Sequence, residues 1–111
     1  MTEPRVFAIQ AQAKYDVSKA LAFGEIIYLC HDLKPLDVKD SVRRIVKRLG
    51  AIDYNPHRDY ILMTGKLLEC SFLLAVAAKL SQAVRILIYD AKADDYTPQV
   101  FGVVEDCITT S

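Results

Sequence analysis

The stretch RDYILMTGKLLECSFLLAVAAKLSQAVRILIYD, residues 58–90, decides how the chain folds. Tyr60, Ile61, Leu62 and Met63 form a continuous apolar run without polar alternation, the pattern of a strand covered on both faces by helices. A strand over 59–64 is therefore expected at the centre of a sheet. After Thr64 and Gly65, the segment 66–82 is apolar almost all round a helix. Lys66 and Glu69 stand inside one end and Lys79 inside the other, so the segment is too short for a bilayer and reads as a buried core helix. Thr64 offers a hydroxyl as N-cap, and Gly65 permits the tight strand-to-helix turn. Val84, Ile86, Leu87 and Ile88 then make a second β-branched, apolar strand, so the whole is a right-handed crossover between parallel neighbours.

Upstream, residues 6–10 read as a first strand, and Asp16 caps a short helix over 17–23 that Gly24 stops. A second apolar strand follows over 25–31. From Val38 the spacing of Val38, Val42, Ile45, Val46 and Leu49 is that of an amphipathic helix, with Asp37 as its cap and Gly50 at the C′ position. Downstream, 91–96 is a polar turn, and Thr97-Pro98 opens a last strand over 99–104 that pairs back as an edge hairpin, where Pro98 is tolerated. The tail from Glu105 is expected to be loose. The order implies an α/β fold: three layers, a mainly parallel sheet in βαβαβαβ order and a C-terminal antiparallel edge hairpin.

With 111 residues the chain has the length of one domain, 1–111, and a balance of 52% hydrophobic to 25% charged residues suits a packed globule rather than a disordered chain. Glu3, Pro4 and Arg5 stand where a signal peptide needs an apolar run, so a cytoplasmic location without membrane contact is expected. Cys30, Cys70 and Cys107 are odd in number and widely spaced, which suits reduced thiols and neither a disulfide framework nor a zinc site. The charge is zero overall but unevenly spread. Residues 1–58 carry ten Lys and Arg against seven Asp and Glu; residues 59–111 carry four against seven. Such a dipolar chain favours oriented self-association or an oppositely charged partner.

In the spacing of Tyr15-Asp16, Phe23-Gly24-Glu25, Arg58-Asp59-Tyr60, Thr64-Gly65, Tyr89-Asp90 and Tyr96-Thr97-Pro98, the chain resembles a group of small, uncharacterised, phage-associated α/β proteins. Proteins of that look often follow the Thr-Gly with Asp-Pro, where Lys66-Leu67 stands here. The resemblance implies a viral or mobile-element origin and brings no activity with it.

No motif fixes a reaction, so the candidate sites are weighed against plainer roles. Ligands of open parallel sheets bind outside the carboxyl ends of the strands, where Gln10, His31, Asp32, Thr64, Gly65, Lys66 and Asp90 are expected to gather. Thr64, Gly65 and Lys66 combine a hydroxyl, approachable N–H groups and a cation, which suits a phosphate or nucleotide; plain N-capping explains the same residues. Cys30, His31 and Asp32 suggest a nucleophile with its base, but adjacent strand residues point to opposite faces, so a buried Cys followed by a loop His is the simpler reading. Arg43, Arg44, Lys47 and Arg48 form a basic helix face that suits an acidic protein or, through helix 38–50, nucleic acid; without interleaved aromatics it also reads as a solvated face. Tyr96 and Phe101, with Tyr89, Val100 and Val103, offer an apolar hairpin surface for a partner or a second copy, or else cover the core. The leading expectation is a non-enzymatic interaction protein, homodimeric, that binds a protein partner through Arg43, Arg44, Lys47, Arg48, Tyr96 and Phe101. The alternative is a phosphate or nucleotide module built on Thr64, Gly65 and Lys66 with Asp32 and Asp90, and nucleic-acid binding is the third. No cofactor and no metal are expected.

Overall fold

A computed structural model describes residues 3–9, 17–31, 33–34, 36–63, 67–80 and 83–102. The elements are β1 (Arg5–Ala8), a 3₁₀ segment (Ser18–Phe23), β2 (Glu25–Tyr28), α1 (Val38–Ala51), β3 (Tyr60–Leu62), α2 (Leu67–Leu80), β4 (Val84–Asp90) and β5 (Asp95–Phe101). They form an α/β structure around one sheet in the order β2-β1-β3-β4-β5. The sheet is mixed: β1 runs parallel to β2 and β3, β3 runs parallel to β4, and β5 is antiparallel to β4.

The apolar runs are continuous because both faces of the inner strands are covered. Alternate residues divide between two cores. Phe7, Ile61 and Ile86 meet Ile45 and Leu49 of α1 and Leu73 and Val76 of α2 on one face. Val6, Leu62 and Leu87 meet Ala20 and Tyr96 on the other. Chain direction explains this division. The step from β1 to β2 moves one way across the sheet, whereas the steps from β2 to β3 and from β3 to β4 move the other way. Crossovers of a single hand must then place α1 and α2 on one face and the 3₁₀ segment opposite.

Several boundaries differ from the sequence reading. The first connection is a six-residue 3₁₀ turn rather than an α-helix, with Val17 before it making no side-chain cap; Asp16 lies outside the described residues. Asp37 does cap α1, accepting a hydrogen bond from the Asp40 N–H at 3.2 Å. Gly50, in contrast, is inside the helix. The left-handed residue that ends it is Asp53, at φ 57°, and the bonds from Tyr54 N–H to Leu49 O (3.1 Å) and from Asp53 N–H to Gly50 O (3.4 Å) close a Schellman motif around it. Asp adopts this conformation more readily than most residues, so the glycine was a misleading signal.

The hairpin turn is also tighter than expected. β5 begins at Asp95, so Pro98 lies mid-strand opposite Leu87 and Tyr96 opposite Tyr89. An edge strand tolerates the missing N–H there. α2 is apolar all round yet one-sided: Leu73 and Ala77 are buried, whereas Leu68 and Leu80 are exposed. Among the described residues, no helix is long and apolar enough to cross a membrane.

Candidate functional site

The residues that the sequence proposes do not all meet. The strand order reverses between β1 and β3, which is where an open α/β sheet forms its crevice. Gln10, Asp32, Thr64, Gly65 and Lys66 lie outside the described residues. The two remaining members are on different sides of the sheet. His31 follows β2, an edge strand, and Asp90 ends β4, with β1 and β3 between them, so three inter-strand spacings of about 4.8 Å separate the strands. Asp90 instead shapes the hairpin, its carboxylate accepting from the Lys92 and Ala93 N–H groups at 3.0 and 3.4 Å.

What does converge is basic. Arg44, Lys47 and Arg48 line a groove of about 490 Å³ together with His31, over a floor of Leu29, Cys30 and Ala51. Helical spacing makes this possible: 44, 47, 48 and 51 follow one stripe of α1, beside the stripe of Ser41, Ile45 and Leu49 that is buried on the sheet. The groove is fixed at one point by Arg44, whose Nη2 donates to the His31 carbonyl oxygen at 2.6 Å. Arg43 is exposed and does not line it, so the basic face splits into a groove wall and a solvent-facing remainder.

Cys30 and His31 lie past the end of β2 and separate there: Cys30 is buried in the same core as Leu29, and His31 is exposed. Burial pushes the Cys30 thiol up, although Arg44 and Arg48 pull it partly back. A thiol held in its protonated form is a poor nucleophile. With Cys70 and Cys107 replaced by Ala, a thiol reagent at neutral pH is expected to modify Cys30 about tenfold more slowly in the folded protein than in urea; equal rates would show the thiol to be open.

On the hairpin, Tyr96 is buried and packs edge-on against Tyr89 at 5.6 Å, so it belongs to the core and not to a contact surface. The Phe101 side chain lies outside the described residues. Three groups were missed by sequence reasoning. Glu69 is fully buried in the first turn of α2 and contributes to the field at Cys30. Its i+4 relation to buried Leu73 was the available signal, hidden because nearly every position of that helix is apolar. Asp59 is fully buried and paired with Arg5 and Arg58. Lys19 bridges from the 3₁₀ segment to the Asp94 carboxylate, which also accepts from the Tyr89 hydroxyl. These two partners hold the Asp94 carboxyl below the ordinary carboxylate range.

A family model described as phage Pam3 gp32-like protein matches residues 4–103. No curated protein and no solved structure matches the chain.

Proposed function

From the premise that the chain belongs to the phage Pam3 gp32-like family, we propose that it is a non-enzymatic interaction protein of the infected cell's cytoplasm, which takes an acidic segment of a protein partner into the groove along α1. The convergence of Arg44, Lys47 and Arg48 over an apolar floor carries this reading. Guanidinium groups match carboxylates with two parallel hydrogen bonds, and the Leu29, Cys30 and Ala51 floor gives a neighbouring aliphatic side chain somewhere to lie. Nucleic acid is less well served. Among the described residues the groove is lined by no Phe, Tyr or Trp, so His31 is its single aromatic ring for a base to stack on, and the chain as a whole is neutral.

A glutamate-rich peptide titrated against the wild type and against the double variant Arg44→Glu/Arg48→Glu tests the proposal. Each charge-assisted hydrogen bond is worth about 1.5–3 kcal/mol, so losing two lowers affinity about a hundredfold or more. Binding should also weaken as salt rises and the Debye length shortens from about 30 Å at 0.01 M to about 8 Å at 0.15 M. Thr64→Val should change nothing. Equal affinity in wild type and double variant would overturn the groove as the binding surface, and preference for an oligonucleotide over the peptide would replace the partner by nucleic acid.

A further inference from the structure

Resting on that reading of the groove, we infer that the acidic partner is a second copy of this chain, whose β4–β5 hairpin enters the Arg44–Lys47–Arg48 groove. The two surfaces are opposite in charge and complementary in kind. The hairpin carries Asp90, Asp94 and Asp95, all exposed, with Lys92 as the single cation of its turn. Ile88 and Tyr89 beside them are nearly half exposed, an apolar base that suits the Leu29 and Ala51 floor of the groove. The uneven distribution of charge along the sequence is thus carried into space, with the basic wall beside one edge strand and the acidic turn beside the other.

The fold prevents one copy from satisfying both. β2 and β5 are opposite edges of the sheet, four spacings or about 19 Å apart, and the turn between β4 and β5 has only four residues, 91–94. The contact is therefore made between copies. The hairpin is also ordered before it binds. Lys19 bonds to both the carbonyl and the carboxylate of Asp94, Tyr89 donates to that carboxylate, and Asp90 accepts from two N–H groups of the turn. A turn held in this way loses little conformational freedom on association. Asp94 is engaged by Lys19 and Tyr89 of its own copy, whereas among the described residues Asp90 and Asp95 use Oδ1 alone there, accepting from N–H groups of the turn and of Tyr96, so the Oδ2 atoms of these two exposed carboxylates are the ones to face the arginines of the other copy. Reciprocal exchange of the two hairpins closes a dimer, the commonest symmetric assembly of soluble proteins.

Sedimentation equilibrium at low salt tests the inference. The wild type is expected to approach twice the chain mass as concentration rises, and to dissociate as salt is added. Arg44→Glu/Arg48→Glu should be monomeric, because both its groove and its hairpin are negative. Asp90→Lys/Asp95→Lys should be monomeric for the opposite reason. An equimolar mixture of the two variants should recover the dimer, since each hairpin then meets a groove of opposite sign, and a variant that merely misfolds cannot produce that recovery. A wild type that stays monomeric at its highest soluble concentration overturns the inference, as does a mixture that stays monomeric or a dimer that both variants keep. The glutamate peptide separates this from the underlying proposal. If the peptide still binds the wild-type groove while the protein is monomeric, only the second copy is lost as partner; if the peptide fails as well, the groove reading falls with it.

Discussion

Replacing Asp59 with Ala is expected to lower stability by about 3 kcal/mol or more, the usual loss when one member of a buried ion pair is removed. For a domain near this size that moves the thermal midpoint down by about 12 °C or more. The reason is the number of groups that this one carboxylate satisfies. It is fully buried, and its two oxygens accept from the Arg5 N–H (3.1 Å) and guanidinium (3.2 Å), from two nitrogens of Arg58 (2.8 and 3.0 Å) and from the Asn55 N–H (2.9 Å). Arg5 also donates to the Asp53 carbonyl oxygen at 2.8 Å. One side chain thus ties the start of β1, the start of β3 and the loop that leaves α1. Without it, two backbone N–H groups and the Arg58 guanidinium lose this acceptor together, and Arg5 keeps the Asp53 carbonyl oxygen alone of its two.

The same site sets an acid limit. Burial tends to raise the Asp59 carboxyl, but the hydrogen bonds from Arg58, Asn55 and Arg5 outweigh it, and the group is held below its ordinary value in the folded protein. A depressed folded value stabilises above the unfolded one, near pH 4, and that contribution disappears as pH falls through the folded value. The stability gap between wild type and Asp59→Asn should therefore be widest at neutral pH and close below about pH 4. A gap that stays constant from pH 7 to pH 3 would show that the charge of Asp59 contributes nothing to folding.

The second large effect belongs to Gly24, between the 3₁₀ segment and β2. Its φ is 150°, and a Cβ added there would lie 2.3 Å from the Pro4 carbonyl oxygen and 2.8 Å from its carbon. Both are backbone atoms, so the clash cannot be relieved by turning a side chain. Unfavourable backbone angles cost about 1–3 kcal/mol and overpacking about as much again, which places Gly24→Ala at several kcal/mol. The β1–β2 pairing, whose register begins at Arg5 opposite Glu25, is the part that must move. Gly50→Ala is the control with the opposite sign. Among the described residues nothing lies within 4 Å of its Cβ position, and it is inside α1, so alanine there should stabilise by about 0.5–1 kcal/mol. Equilibrium denaturation of the two variants measures both, and equal stabilities would contradict the two glycine environments.

Elements whose signal is local were legible in the residues alone. The apolar run 60–63, the β-branched run from Val84 and the stripe Val42, Ile45, Leu49 each state their period without reference to the rest of the chain, because burial on two faces or on one face leaves a different repeat. The Asp37 cap is equally local, since it concerns one side chain and the first turn beside it. The membership of the groove was half legible: Arg44, Lys47 and Arg48 share a helix stripe by spacing alone, but that His31 and Leu29 complete the site depends on where β2 lies beside α1.

The tertiary structure alone decided the rest. Asp59 and Glu69 appear in sequence as ordinary charges, and only packing shows that they are buried. α1 ran past Gly50 to Ala51 and took Asp53 as its left-handed residue, because the Schellman bonds to Leu49 and Gly50 form where Arg5 and the loop 53–59 hold the chain. The separation of His31 from Asp90 was likewise invisible, since strand order is fixed by the direction and hand of each crossover and not by the composition of any strand. Local periodicity specifies what each segment is. Which segments become neighbours, and so which charges face each other across a groove, is specified by contacts between residues far apart in the chain.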